Sequence, residues 1–224
     1  AVIILAIIVL MVVLVIILND GTRKIPVQYA QKVQGRRLVG GQSSSIPLKV
    51  NTAGVIPIIF AQSLLQFPLI ISSFVKYNTA GVWAEILKYL NSGNWCSLQQ
   101  PKYTIGMLVY IVLVIFFAYF YTSITFNPLM VADNMKKQGG FIPGIRPGKP
   151  TSDYLTKVLN YVIFIGAVGL TIIGILPYIF NGIFKASVSF GGTSLIIIVS
   201  VILETMKQIE SQMLVRNYKG FLND

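Results

Sequence analysis

The chain has 224 residues, of which 54% are hydrophobic and 11% charged, with 18 Lys and Arg against 7 Asp and Glu and no His. At a mean hydropathy of +0.73, this apolar surface excludes a soluble globular domain and points to a polytopic helical membrane protein, since a bilayer core takes roughly 20 apolar residues per helix. Imidazole general-base chemistry and most zinc sites are excluded with His, no Gly-x-x-x-x-Gly-Lys loop is present, and the single Cys96 cannot form an internal disulfide, so neither enzyme activity, cofactor nor metal site is expected.

Residues 1–18 form an apolar run predicted to be the end of a transmembrane helix. Ala1 lies inside that run, without Met or a charged leader, so the chain is expected to continue upstream as part of a longer protein. Residues 19–53 form a basic connection with Arg23, Lys24, Lys32, Arg36, Arg37 and Lys49 against Asp20. Topology anchoring and attraction to anionic lipid explain such charge. The connection is also longer than two adjacent helices need, which leaves open docking of an acidic partner or of ribosomal RNA.

Residues 54–75 are the next span, with Pro57 in the first turn, where a missing N–H is tolerated. Ile59, Gln62, Ser63 and Gln66 share one helical face. Two glutamines against lipid are costly, so this stripe should face protein or water. Hydrogen bonding inside a bundle and the lining of a polar path both fit.

Residues 76–104 form an outer connection in which Val82, Trp83, Ile86, Leu87 and Leu90 recur at helical spacing, predicting a short interfacial helix within Thr79–Asn91. The span 105–126 carries Phe116, Phe117, Tyr119, Phe120 and Tyr121 toward its cytoplasmic end. Residues 127–154 follow as a second basic connection. Three prolines and four glycines within twelve of its residues predict a stiff, turned hook, with Arg146 near the tip between Ile145 and Pro147.

The span 155–179 contains Gly166, Gly169 and Gly174, which permit close helix contact, and Pro177, expected to set its outer end. Residues 180–187 make an outer loop. The last span, 188–215, turns amphipathic: Leu203, Met206, Ile209 and Met213 oppose Glu204, Lys207, Gln208, Ser211 and Gln212. Residues 216–224 form a tail. The connections after the first and third spans are rich in Lys and Arg and the alternate ones poor, so the positive-inside rule places 19–53, the hook and the C-terminus in the cytoplasm.

Several stretches resemble the SecY family of protein-conducting channels: Gly35-Arg36-Arg37, Gln42-Ser43, Ile46 through Pro57, Ala132 through Gly148, and Gly191-Gly192-Thr193-Ser194-Leu195. The resemblance covers nearly the whole chain and corresponds to the family's sixth through tenth membrane helices. It implies an all-α polytopic membrane protein whose five transmembrane helices form the C-terminal half of a channel. Such a channel conducts unfolded polypeptides across, and laterally into, the bacterial cell membrane.

By motif alignment Ile59 and Ile197 match members of the family's apolar pore ring. Residues 54–75 match a helix of the lateral gate; Asn51, just ahead of it, and Phe67 match gate positions, and the stripe of Gln62, Ser63 and Gln66 agrees with a gate surface that must part and reclose. Arg36, Arg37, Arg146 and Lys149 match partner-docking positions. The implied partners are the N-terminal half of the same channel, SecE- and SecG-type small subunits, the SecA motor ATPase, the ribosome, signal sequences and nascent polypeptides, and lipid. Where the family often has Thr-His, this chain has Ser44-Ser45, and the stretch Asn94-Trp95-Cys96-Ser97 matches no familiar feature. Half of a secondary transporter, which would need mid-membrane ionisable groups or broken helices, and a non-conducting membrane scaffold are the rival readings.

Overall fold

The computed structural model describes residues 2–29, 32–34, 37–39, 43–74, 81–95, 101–184 and 192–220. Arg36 and Cys96 lie outside them, and of Arg37 only the backbone is described. The helices are α1 (Val2–Asp20), α2 (Ile56–Phe74), α3 (Val82–Leu90), α4 (Thr104–Thr125), α5 (Pro128–Lys137), α6 (Lys149–Phe184) and α7 (Gly192–Gly220). Short strands β1 (Thr22–Tyr29), β2 (Lys32–Gln34), β3 (Arg37–Val39), β4 (Ser43–Lys49) and β5 (Gly140–Phe141) occupy the two basic connections. The chain is thus a mostly helical polytopic membrane protein carrying a small antiparallel sheet.

Among the described residues, three helical stretches are long and apolar enough to cross a membrane: Ile56–Phe74, Thr104–Lys137 and Lys149–Ile179. α1 adds a shorter apolar stretch, Ile8–Asp20. The stretch within α6 is 44% buried, against 22% for each of the other two, so it is the most enclosed of the three. Pro177 does not end α6, contrary to expectation; the helix runs through it to Phe184. α2 likewise continues across Pro68. A proline removes one ladder bond per site, a local loss that neighbouring turns of a membrane helix absorb.

The chain divides into two compact units. One comprises Ala1–Asn19, Leu65–Met107 and Ile172–Asp224. Within it, Asn19 Nδ2 donates to Ser200 Oγ at 2.8 Å, tying α1 to α7. Trp95, 1% exposed, is sealed among α3, the start of α4 and Tyr178. On α3, Ala84 and Leu87 are buried while Val82, Trp83 and Ile86 are exposed, the apolar outward face expected of an interfacial helix.

The other unit comprises Asp20–Leu64 and Leu108–Thr171 and therefore holds both basic connections. Its three-stranded sheet has the order β4-β1-β5, and β2 and β3 form a separate antiparallel pair. β1 and β4 pair antiparallel from Thr22↔Lys49 to Gln28↔Ser43, and β5 adds Gln28↔Phe141 and Tyr29↔Gly140. Val50 N donates to Gly21 O at 2.8 Å. Hydrogen-bonded pairs alternate with open ones in such a ladder, so Pro26 and Pro47 both fall on open pairs, where no N–H is required. Pro47 lies on the edge strand, where a proline discourages further strand pairing. Beneath the sheet, Ile25, Val27, Leu48, Ala132, Met135, Ile142 and Leu155 form one apolar cluster, in which each Ile, Val, Leu or Met side chain contributes about 1.5–3 kcal/mol by burial.

Candidate functional site

Three stripes run along α2. Ile58, Ala61 and Leu65 are buried. Phe60, Leu64, Phe67 and Ile71, at alternating spacings of four and three, are exposed and wholly apolar, a surface suited to lipid. The third stripe holds Ile59, Ser63 and Gln66, all exposed, with Gln62 half-buried beside them. The four residues placed on one face by spacing do share it. The Ser63 hydroxyl donates to the Ile59 carbonyl at 2.8 Å, so it is satisfied within the helix and needs no outside partner in lipid. Phe67 is 62% exposed, at the edge of the apolar stripe.

The entry to α2 is held firmly. Val50 N is bonded to Gly21 O, and Thr52 Oγ1 donates to Lys49 O at 2.8 Å. Asn51 and Ala53 are buried. Gly54 turns the chain at φ +63°, a conformation glycine adopts without strain. Val55 O then accepts from Ile58 N and Ile59 N, each at 3.2 Å, opening the helix. Asn51 thus lies in a buried linker ahead of the stripe and is not part of it.

Ile197 lies half-buried on α7, in the other unit from Ile59. One turn beyond it, Ser200 receives the bond from Asn19. Removing that hydroxyl, as in Ser200→Ala, is expected to lower stability by about 0.5–1 kcal/mol. The shift would be read from thermal unfolding in detergent against Ser123→Ala, whose hydroxyl bonds only within its own helix.

The hook begins with a helix that spacing did not predict. Pro128 opens α5, and the Asn127 side chain caps it, accepting from Leu129 N at 3.1 Å and Met130 N at 3.3 Å. Beyond α5 the chain doubles back through Gly139, Gly144 and Gly148, all at positive φ. Ile145 N donates to Ile142 O at 3.0 Å. Thr151 Oγ1 donates to Arg146 O at 2.8 Å, while Thr151 N and Ser152 N both reach Gly148 O. The Arg146 backbone is therefore pinned, while its side chain and that of Lys149, the first residue of α6, are exposed.

Spacing treated the two basic connections as separate features. In the structure, β5 joins the hook to the β1/β4 ribbon, and one apolar core underlies both. Arg23, Lys24, Lys49, Arg146 and Lys149 are all exposed on this single body. The signal that could have revealed it is Gly140: a Cβ there would press on the Tyr29 ring.

A family model described as SecY matches residues 1–206. The protein translocase subunit SecY of Mycobacterium leprae is 47% identical over 215 residues, covering 93% of this chain and 48% of that protein. The subunit of the same name from Streptomyces coelicolor is 50% identical over 214 residues, covering 95% of this chain and 47% of that protein. The chain spans about half the length of these curated relatives. Among solved structures, one of a protein-conducting channel aligns with a TM-score of 0.59, over 92% of this chain and 48% of that one. A second, concerned with the SecY plug domain and the closed state of the translocation channel, aligns at 0.60 over the same shares. Both are 20% identical to this chain and show the shared fold.

Proposed function

Because this chain belongs to the SecY family, we propose that it supplies the C-terminal half of a protein translocase's central channel subunit, a passive conduit passing unfolded polypeptides across and laterally into a bacterial cell membrane. The observation that carries this reading is the stripe of Ile59, Gln62, Ser63 and Gln66, exposed but for the half-buried Gln62, which runs beside the buried stripe of Ile58, Ala61 and Leu65. A surface of that kind can part from a partner helix and reclose, because its polar groups tolerate both protein and water.

In this reading Ile59 and Ile197 belong to the apolar pore ring. Asn51, Gln62, Ser63, Gln66 and Phe67 belong to the lateral gate. Arg36, Arg37, Arg146 and Lys149 dock the SecA motor or the ribosome, and the basic connections and C-terminus face the cytoplasm. The upstream half and SecE- and SecG-type subunits complete the channel, and signal sequences and nascent chains are its cargo. Half of a secondary transporter is the weaker reading, since α2 and α4 contain no Asp, Glu, Lys or Arg.

An apolar ring blocks ions by dewetting. Ile59→Ser combined with Ile197→Ser, in the assembled translocase in planar bilayers, is therefore expected to raise resting ion conductance about tenfold or more. Unchanged conductance in a correctly assembled channel refutes the ring assignment.

A further inference from the structure

Gly166 was expected to admit a neighbouring helix, but its close neighbour is the backbone of the linker that leads into α2. A Cβ built on Gly166 would overlap the Val50 carbonyl oxygen and crowd its carbon at 3.2 Å, with Val50 Cγ1 at 3.6 Å. We infer that Gly166 is a positioning residue for the gate helix: its bare backbone is the seat on which the linker Val50–Ala53 rests, and that seat fixes where α2 begins. This rests on the reading of Asn51 and α2 as gate elements.

The linker has little freedom to yield. Its Val50 N is held by Gly21 O, Lys49 O is held by the Thr52 hydroxyl, and Asn51 and Ala53 are buried on either side. A displaced Val50 carbonyl must therefore carry Asn51 with it and tilt the Gly54 turn that opens α2. Gly166 itself lies on a buried face of unbroken helix in α6, about 25 Å further along that helix than Lys149. The seat is thus part of the same rigid rod that starts at the hook.

Alanine is a better helix former than glycine, so Gly166→Ala should not weaken α6 as a helix, and its effect must come through the linker. The test uses the assembled translocase and compares export of a secretory precursor bearing an intact signal sequence with one bearing a disabled signal. The ratio of the two reports gating, which a mere packing defect would not move.

Gly166→Ala is expected to change that ratio at least fivefold at unaltered membrane abundance. Combined with Asn51→Ala, it should depart from the product of the single effects by threefold or more, because the two act through one linker. An unchanged ratio, or parallel loss of both precursors in step with abundance, overturns the inference. Should Gly166→Ala not accumulate, Thr52→Val, which loosens the same linker without touching α6, is expected to shift the ratio by itself, and no shift overturns the inference. If Asn51→Ala and Gln66→Ala leave the ratio unchanged while Gly166→Ala moves it, the gate assignment of those residues fails instead.

Discussion

Arg146→Glu is expected to reduce motor-driven export of a secretory precursor by roughly thirtyfold while leaving the chain's assembly in the membrane intact. In the docking role proposed for Arg146, reversal turns an attraction toward an acidic surface into a repulsion, and a like-charge juxtaposition of this kind costs several kcal/mol. Even about 2 kcal/mol at a docking step corresponds to that loss. Assembly should survive because the hook uses only the Arg146 carbonyl, which accepts from the Thr151 hydroxyl, and leaves the side chain exposed. Thr151→Val is the complementary variant, preserving every charge while removing that bond and loosening the tip by about 1 kcal/mol. Its effect on export should be several-fold smaller than that of Arg146→Glu. The measurement is protease protection of a labelled precursor in proteoliposomes, with assembly followed by co-purification. Undiminished export with Arg146→Glu would remove Arg146 from the docking role.

The features legible in the sequence are those set by neighbours close along the chain. Apolar runs of membrane length, the shared face of Ile59, Gln62, Ser63 and Gln66, and the glycine-rich turns of the hook depend on 3.6-residue periodicity and on single-residue backbone preferences. What stayed hidden depends on partners distant in sequence. Nothing around Phe141 announces a strand, because β5 exists only through pairing with Gln28 and Tyr29 more than a hundred residues earlier. Ile25, Val27 and Leu48 alternate with exposed neighbours as a half-buried ribbon requires, yet prolines at two of those positions and the many Lys and Arg nearby mask the alternation. Pro177 misled for a related reason: proline is a reliable helix terminator in water, but a helix packed within a membrane protein continues through it. On α2, the stripe was visible, whereas the close approach of the Val50 backbone to Gly166 was not, since a glycine in a membrane helix equally suits contact with another helix.

Trp95 is the clearest case of a residue whose importance the sequence left unassigned, and its removal should have the largest effect on local stability. Its indole Nε1 donates to the Tyr89 carbonyl at 2.8 Å, at the end of α3. Its ring meets that of Tyr178 edge-on at 5.0 Å, and its own carbonyl accepts from the Thr104 hydroxyl where α4 begins. One residue thus joins three helices, its side chain meeting α3 and α6 and its main-chain carbonyl meeting α4. Gly106 completes the fit, because a Cβ there would collide with the same Tyr89 carbonyl and the indole nitrogen. Truncating a buried tryptophan to alanine costs about 3–5 kcal/mol, so Trp95→Ala should raise amide hydrogen exchange in α3 by a hundredfold or more relative to the wild-type chain. Trp95→Phe keeps most of the apolar contact but leaves the Tyr89 carbonyl without its indole donor, and a loss of about 1–2 kcal/mol is expected. Gly106→Val should resemble Trp95→Ala, since it displaces the Tyr89 carbonyl by steric force. The hook and the β1/β4 ribbon, which share no core with Trp95, should keep their exchange rates in all three variants. If α3 exchanges within twofold of the wild-type rate in Trp95→Ala, the indole is not what holds α3 in place, and the exposed apolar face of Val82, Trp83 and Ile86 must be doing so through its contact with lipid.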